Sequence, residues 1–506
     1  MKNILLERFT YDAFETFKEQ HKNKINIKTV VYMDGHWNNE NIKSSNEDIE
    51  LLNCFSISKG IGIDNSNWSI GDAELSFFSS HEGIFLSILS RYDVYKKAFT
   101  TEEMLDHYYR LVNFWINKLE KINVVFSGDV PHVPSSFSLY LVTKFLKIPF
   151  IFIDGALIYN KFVVFVCSFK HRMLLVEQKN ITNKAFINAH NDFFKEYLST
   201  SKGIDNKYIE YAKNRVESLW WRQILEDINS SLPFSVKSIL YGKIKFRNLY
   251  TTELGWKINR RRLDDPKSGF IRPLLLIAKI KERIKILSSR IEYRRMCSNY
   301  KKLNKYLFFA SPMEPESSTI PTALNGRHVL IALRKICKAL PDGYSLVYKE
   351  HPWQFTQQIL FTTEWKNKYY YDDIKKIGKI IFVRDDAPVK ELIKGSIGII
   401  TINGTVALEA LMLSKHCITF APQWYDGFDG VHLVKSDNDV AKALKLMINK
   451  ISPDPIPSQI KFSKNFLELD GCNIDDYTKS DLRKISIGIW EAYKDFQDLD
   501  VRKWEI

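Results

Sequence analysis

The sequence predicts an α/β protein with two halves of parallel strands and covering helices, joined by a long basic segment. Three observations predict it. Short β-branched or apolar runs end repeatedly in Asp-Gly, His-Pro or Asn-Gly loops, and amphipathic stretches of helical period alternate with them. Between residues 159 and 306 the alternation degrades and basic charge accumulates, although one amphipathic stretch stands out within it.

At 506 residues the chain suits two or three domains. An apolar fraction of 45% with 13% aromatics is enough to bury sizeable cores. Met1-Lys2-Asn3 leads into only a few apolar residues before Glu7 and Arg8, so no signal peptide is expected. No run approaches the roughly 18 apolar residues that span a bilayer. The six cysteines (Cys54, Cys167, Cys297, Cys337, Cys417 and Cys472) stand far apart without a CxxC pair. That disfavours a disulfide framework or a thiolate zinc site and suits a reducing cytoplasm.

In the first half, residues 27–33 read as a strand and residues 101–121 as a helix. The helix shows Met104, Leu105, Tyr108, Leu111, Phe114 and Trp115 on one face. A strand–loop–helix–strand unit follows: strand 122–126, loop 127–132, helix 135–146, and a strand from 149 that ends at Asp154-Gly155. Asp129 and Asp154 thus end consecutive strands, with His132 in the same loop as Asp129. A carboxylate at such a terminus is placed either as a general base or as a turn former before glycine.

The middle is basic. Between Tyr241 and Tyr306 stand 19 Lys and Arg against 5 Asp and Glu, which accounts for the whole net charge of +14. Residues 208–227 suggest a helix, and 242–270 are irregular. Residues 272–295 are better defined, with Ile277, Ile280, Ile284, Leu287 and Ile291 at alternating spacings of three and four. A basic amphipathic helix of this kind either lies on an anionic membrane surface or packs on its own domains with its lysines solvated. Nucleic acid is not expected as a partner, because no recognition motif is present and no aromatics interleave with the charges.

The second half returns to clean α/β alternation, with strands at 306–310, 345–349, 379–383, 397–402 and 417–420. Three of these run into polar loops expected to line one cleft. The first, after Ala310, carries Glu314, Glu316 and Ser318 between Pro312, Pro315 and Pro321, at the carboxyl end of a strand where open α/β sheets place ligands. In the second, Lys349 precedes Glu350-His351-Pro352, and the imidazole there either donates to a phosphate or bonds a carbonyl. The third, Asn403-Gly404-Thr405, precedes a helix whose first turn favours an anion, with Glu409 one turn on. Thr405 read alone could equally be a plain cap. Asp437-Asn438-Asp439 and Asp498-Leu499-Asp500 read as a helix cap and a solvated tail, not as metal ligands. No P-loop, GxSxG or HExxH occurs.

At Pro312-Met313-Glu314-Pro315-Glu316-Ser317-Ser318-Thr319, Glu350-His351-Pro352-Trp353 and 402–410 the chain resembles bacterial capsule polysaccharide biosynthesis proteins and the related Kdo-transferase-like glycosyltransferases. Similar His-Pro and small-hydroxyl motifs occur in bacterial sialyltransferases of the GT-B fold. Where the family usually has Gln-Pro-Glu, this chain has Glu314-Pro315-Glu316. The resemblance implies two Rossmann-like domains facing a cleft, with a helical basic insertion between them. The division expected is an acceptor domain at 1–160, the insertion at 161–303, a nucleotide-sugar domain at 304–480, and a final helix at 481–506 returning to the first domain.

It also implies a metal-independent, inverting transferase of capsule, O-antigen or lipopolysaccharide synthesis, with no cofactor beyond its nucleotide-sugar donor. The relatives use CMP-activated acidic sugars such as CMP-Kdo, with a glycan or lipid-linked glycan as acceptor. Glu314, Ser318, Lys349, His351, Pro352, Asn403, Gly404, Thr405 and Glu409 would bind the donor. Glu316 would sit by the ribose or sugar, and Asp154, with Asp129 or His132 as fallback, would take the acceptor proton. The place of action implied is the cytoplasm, peripheral to the inner face of the inner membrane. A UDP- or GDP-sugar transferase, a CDP-alcohol phosphotransferase and a non-catalytic scaffold remain open.

Overall fold

A computed structural model describes residues 1–33, 36–37, 48–58, 60–63, 66–91, 100–155, 162–169, 187–189, 191–192, 195, 271–300, 303, 305–316, 319–323, 326, 328–355, 365–454, 466–470 and 477–497, with only the backbone described at 271–280. The stretches 208–227 and 242–270, Ser318, and Asp498-Leu499-Asp500 lie outside the described residues.

The first sheet holds β1 (Lys2–Glu7), β2 (Ile25–Tyr32), β3 (Glu50–Asn53), β4 (Val124–Ser127), β5 (Phe150–Gly155), β6 (Phe162–Val166) and β13 (Leu467–Glu468). Its order is β13-β6-β5-β4-β1-β2-β3. The first five strands are mutually parallel; β6 runs antiparallel to β5, and β13 antiparallel to β6. Ile4, Leu5 and Leu6 are fully buried because β1 is central and covered on both faces. Ile4 and Leu6 face α1 (Tyr11–His21) and the last helix, α13 (Lys479–Gln497). Leu5 faces α5 (Thr101–Lys118) and α6 (Pro134–Phe145), beyond the shorter helices α2 (Cys54–Ser58), α3 (Asp72–Ser79) and α4 (Glu82–Ser90). α13 lies against α1, with the His21 ring 5.1 Å from Trp490 and its Nε2 3.1 Å from Ser486 Oγ.

The second sheet is wholly parallel, with β7 (Tyr306–Ala310), β8 (Ser345–Lys349), β9 (Ile380–Val383), β10 (Ile399–Thr401), β11 (Cys417–Thr419) and β12 (Val431–Leu433). Its order is β12-β11-β10-β7-β8-β9. The chain builds outward from β7 to one edge, returns to the middle and builds outward again, which is the doubly wound Rossmann arrangement. Helices α8 (Val329–Ala339), α9 (Lys368–Ile377) and α12 (Asp437–Ile448) cover one face through Leu333, Ile336, Tyr371, Ile374, Val440 and Leu444. On the other face, α10 (Val389–Gly395) and α11 (Val406–Met412) bring Leu392, Ile393, Ala407 and Leu408 against Phe308 and Val347. The protein is thus an α/β molecule of two Rossmann-like domains.

Two expected boundaries move. The first sheet does not end at residue 160, because Phe162-Val163-Val164-Phe165-Val166 is buried throughout and adds an antiparallel strand. The second domain does not run to 480, because Leu467 and Glu468 pair with β6 in the first sheet. Phe466, one residue earlier, packs on Trp424 with ring centroids 5.4 Å apart, so the two domains are stitched together next to the segment after β11. Asp437 and Asp439 stand in the first turn of α12, where Asp439 completes a capping box with Ser436.

Helix α7 (Ile271–Met296) runs beside β9, the edge strand. Tyr293 is buried against this strand, whereas Ile284, Leu287 and Ile291 are 60%, 43% and 52% exposed. That stretch of the apolar seam therefore does not pack on its own domains.

Candidate active site

The order of the second sheet reverses between β7 and β10, and such reversals open a crevice at the carboxyl ends of the strands. The register pairs Thr401 with Ala310, and Ala310 with Lys349. The Glu314, His351 and Asn403 loops therefore leave three neighbouring strands at one level, spaced about 4.8 Å apart.

A buried polar hub fixes the first two loops. Lys366, fully buried, donates to Ser311 Oγ at 2.9 Å, Pro312 O at 2.6 Å and Glu350 Oε1 at 3.1 Å, and its Nζ lies 3.5 Å from Glu314 Oε2. Glu350, also fully buried, accepts from Tyr348 and Tyr371 hydroxyls and from the His351 N–H. Gln354 closes the arrangement by bonding both the N–H and the carbonyl of Glu314. The expectation that Glu314 presents its carboxylate to a ligand is corrected here. At 6% exposure it is turned inward to the Lys366 ammonium, as a buried charge requires a partner. Glu316 stays half-buried, its carbonyl accepting from Thr319 and Ile320 as the loop turns.

His351 Nδ1 accepts from the Trp353 N–H at 3.2 Å inside the single turn Pro352–Phe355, so the neutral ring carries its proton on Nε2. Burial, then the charges of Lys349 and Lys366, push its pKa down to about 3. With its pKa held this low, the ring offers a neutral N–H rather than the charge-assisted donation expected of it. Lys349 is 5% exposed, and burial lowers its pKa to about 8 against the opposing pull of Asp385, Glu350, Asp386 and Glu409. Asp385 is buried at the end of β9 and is held by Arg290 at 2.8 Å and Arg294 at 2.7 Å from α7.

Asn403 is buried, and the Gly404 N–H donates to Thr401 Oγ1 at 3.1 Å. A Cβ at Gly404 would stand 2.8 Å from that oxygen. Tyr425 donates to the Gly404 carbonyl at 2.8 Å. Thr405 occupies the cap position of α11 without bonding through its side chain, so the plain-cap alternative does not describe it.

The first sheet has its own reversal, between β1 and β4. There Arg8, at φ 59°, reaches Asp129 Oδ2 at 2.6 Å, and Asp129 Oδ1 accepts from the Val130 N–H at 2.6 Å. Gly128 permits the crossing, since a Cβ would lie 2.5 Å from the Arg8 carbonyl. Glu7 is buried beneath, accepting from the Ser127 and Ser136 hydroxyls, and burial raises its carboxyl pKa. His132 lies with Nδ1 2.8 Å from the Val130 carbonyl, and burial with the Arg8 charge lowers its pKa to about 4. Asp154 is half-buried in β5, opposite Val164 of β6. With Ser127 paired to Phe152, it stands just beyond the end of β4, on the Asp129 side. Arg8, Lys366 and Arg290 were not singled out from sequence. A groove lined by Arg334, Lys338, Lys376 and Lys379 lies at the opposite, amino-terminal edge of the second sheet.

These shifts set an acid limit. A histidine with a lowered folded pKa contributes stability that is present above its unfolded pKa near 6.5 and lost as pH falls. His351, near 3, and His132 and His432, both near 4, all act in this direction. Glu7, raised, acts oppositely. Between pH 7 and 5, urea unfolding is expected to show a loss of about 1–2 kcal/mol for each of His351 and His132. His351→Asn and His132→Asn should each remove their share of that slope, and an unchanged slope would contradict the assignment.

Residues 324–440 match the family of capsule polysaccharide biosynthesis proteins. The matched segment runs from the approach to α8 into α12, so it contains the His351 and Asn403 loops and Lys366 and begins just after the Glu314 loop. No curated protein matches the chain. Among solved structures, a UDP-GlcNAc 2-epimerase from Methanocaldococcus jannaschii is similar at 13% identity, over 90% of this chain and 95% of that chain, with a TM-score of 0.24. The beta Kdo 2,4 transferase KpsC of Thermosulfurimonas dismutans is similar at 9% identity, over 68% and 88%, with a TM-score of 0.26. A variant of the wall teichoic acid polymerase TagF is similar at 11% identity, over 98% and 90%, with a TM-score of 0.19.

Proposed function

We propose that the chain is an inverting glycosyltransferase of bacterial surface polysaccharide synthesis, acting at the inner face of the inner membrane. The observation that carries the reading is the side-by-side exit of the three loops at the switch point of the capsule-family domain. The donor is a CMP-linked acidic sugar of the Kdo class, and the acceptor a glycan or lipid-linked glycan. Lys349, the His351 Nε2–H, the Thr405 hydroxyl and the first turn of α11 meet the charge on the departing phosphate, so departure needs no divalent cation. Asn403, Glu409 and Glu316 orient ribose and sugar.

The acceptor oxygen attacks the anomeric carbon as the bond to the phosphate oxygen breaks, releasing CMP, and its proton passes to Asp154. Asp129 is the weaker candidate for that role, because Arg8 already neutralises it. His132, with a pKa near 4, is a poor base at neutral pH. Among the described residues no helix is long and apolar enough to cross a membrane.

The test is a panel of CMP-, UDP- and GDP-sugars and a CDP-alcohol, with released nucleotide read by mass spectrometry and binding by thermal shift. Acceptor-dependent CMP release is expected, and Asp154→Asn should slow it by about 10²–10⁴ while leaving CMP binding unchanged. A preference for UDP, GDP or CDP would reassign the donor. Full activity in Asp154→Asn would remove the base, and no turnover of any donor would favour a scaffold.

A further inference from the structure

We infer that the outward face of α7 docks the protein on an anionic lipid bilayer. This inference does not depend on the choice of donor. Ile284, Leu287 and Ile291 stand three and four residues apart, hence on one stripe of the helix, and all three point to solvent. The helix is tied to the protein by polar groups on its inner face and along one flank of the stripe. The Tyr293 hydroxyl donates to the Val383 carbonyl at 2.6 Å and accepts from the Glu350 N–H at 2.9 Å, and Arg290 and Arg294 hold Asp385. A surface helix ordinarily turns its apolar stripe inward. Here the stripe is presented outward on a helix that is firmly anchored.

Charge decides the occupant. Lys281, Lys285 and Arg295 border the stripe and are exposed. Lys285 shares Glu282 at 3.3 Å and Arg295 shares Glu292 at 2.7 Å, which leaves a positive excess along this flank. Long basic side chains can reach headgroups while their stems lie along apolar surface. The entire net positive charge of the chain falls between residues 241 and 306, the segment that includes this helix. Apolar residues flanked by lysine and arginine suit a helix lying in the headgroup plane of an anionic leaflet. Because Tyr293 also bonds the Glu350 backbone beside His351, docking through α7 holds the second domain's crevice at a fixed height over the bilayer.

The experiment uses the full chain with vesicles of phosphatidylcholine alone or mixed with phosphatidylglycerol, read by co-sedimentation. Binding to the phosphatidylglycerol vesicles should be at least about tenfold stronger, and should weaken in high salt. Ile284→Glu with Ile291→Glu should reduce it by about tenfold or more, with the melting temperature unchanged because both side chains are already exposed. Lys281→Gln with Lys285→Gln should narrow the preference for the anionic vesicles. Equal binding by the isoleucine double variant and the native chain would overturn the proposal. So would equal binding to both vesicle types, or no binding at all. If the native chain self-associates in gel filtration and the isoleucine variant does not, the stripe is an interface between copies and the bilayer assignment falls.

Discussion

Lys366→Met is expected to destabilise the protein by about 3–5 kcal/mol, the size of effect seen when one partner of a buried ion pair is removed. Methionine keeps the volume but leaves Glu350, fully buried, and Glu314, nearly so, without the ammonium that faces both. Ser311 Oγ and the Pro312 carbonyl lose a donor at the same time. In a domain of this size the melting temperature should fall by about 6–20 °C, which calorimetry reads directly. Glu350→Gln added to Lys366→Met removes one stranded charge and should recover a substantial part of the loss, so the cycle gives a coupling energy rather than two independent costs. A single-variant loss below about 1 kcal/mol would show that the two loops do not depend on this lysine. Because the hub sets the spacing between the Glu314 and His351 loops, nucleotide binding should weaken along with stability, and the double variant should recover stability more than binding.

Strand β8 was legible to the residue, since Ser345-Leu346-Val347-Tyr348-Lys349 is a short apolar run ended by His-Pro. The crevice was legible for the same reason: apolar runs stop where glycine, proline or a charge begins, and parallel strands stop at the same edge. β1 was not legible. Its apolar core is only Ile4-Leu5-Leu6, and at a chain start those residues bear more on the question of a leader than of a central strand. β13 has no local signature, because its pairing with β6 spans some 300 residues, whereas β6 is itself a β-branched and aromatic run, Phe162 to Val166, that pairs back on β5 and was readable as a strand. Lys366 could not be found by any motif. A lysine is ordinarily solvated, and this one is buried because two other segments, Ser311 to Glu314 and Glu350, converge on its ammonium. The same limit applies to Glu314, whose proline-braced loop suggests a ligand position while its carboxylate serves the fold. The periodicity of α7 was readable, but its orientation was not: which stripe faces inward depends on Asp385 and Val383, some 90 residues away.

His351→Ala should reduce turnover by about 10²–10³, the range for loss of one preorganised donor to developing charge. The sharper test is pH. With its pKa lowered to about 3, the ring is neutral at pH 7. A phosphate placed against Nε2 favours the protonated ring and raises that pKa, so between the two values binding takes up a proton. The affinity for CMP should therefore rise as pH falls from 7 to 5, relative to His351→Asn measured in the same series, where protonation of the ligand's own phosphate is common to both. At the other end, Lys349 loses its charge as pH passes about 8, and affinity should decline there in the native chain but not in Lys349→Met. Calorimetric titration in buffers of different ionisation enthalpy would count the protons directly. If the native chain and His351→Asn show one slope, the imidazole does not touch the phosphate, and the three loops share an edge of the sheet without sharing a ligand.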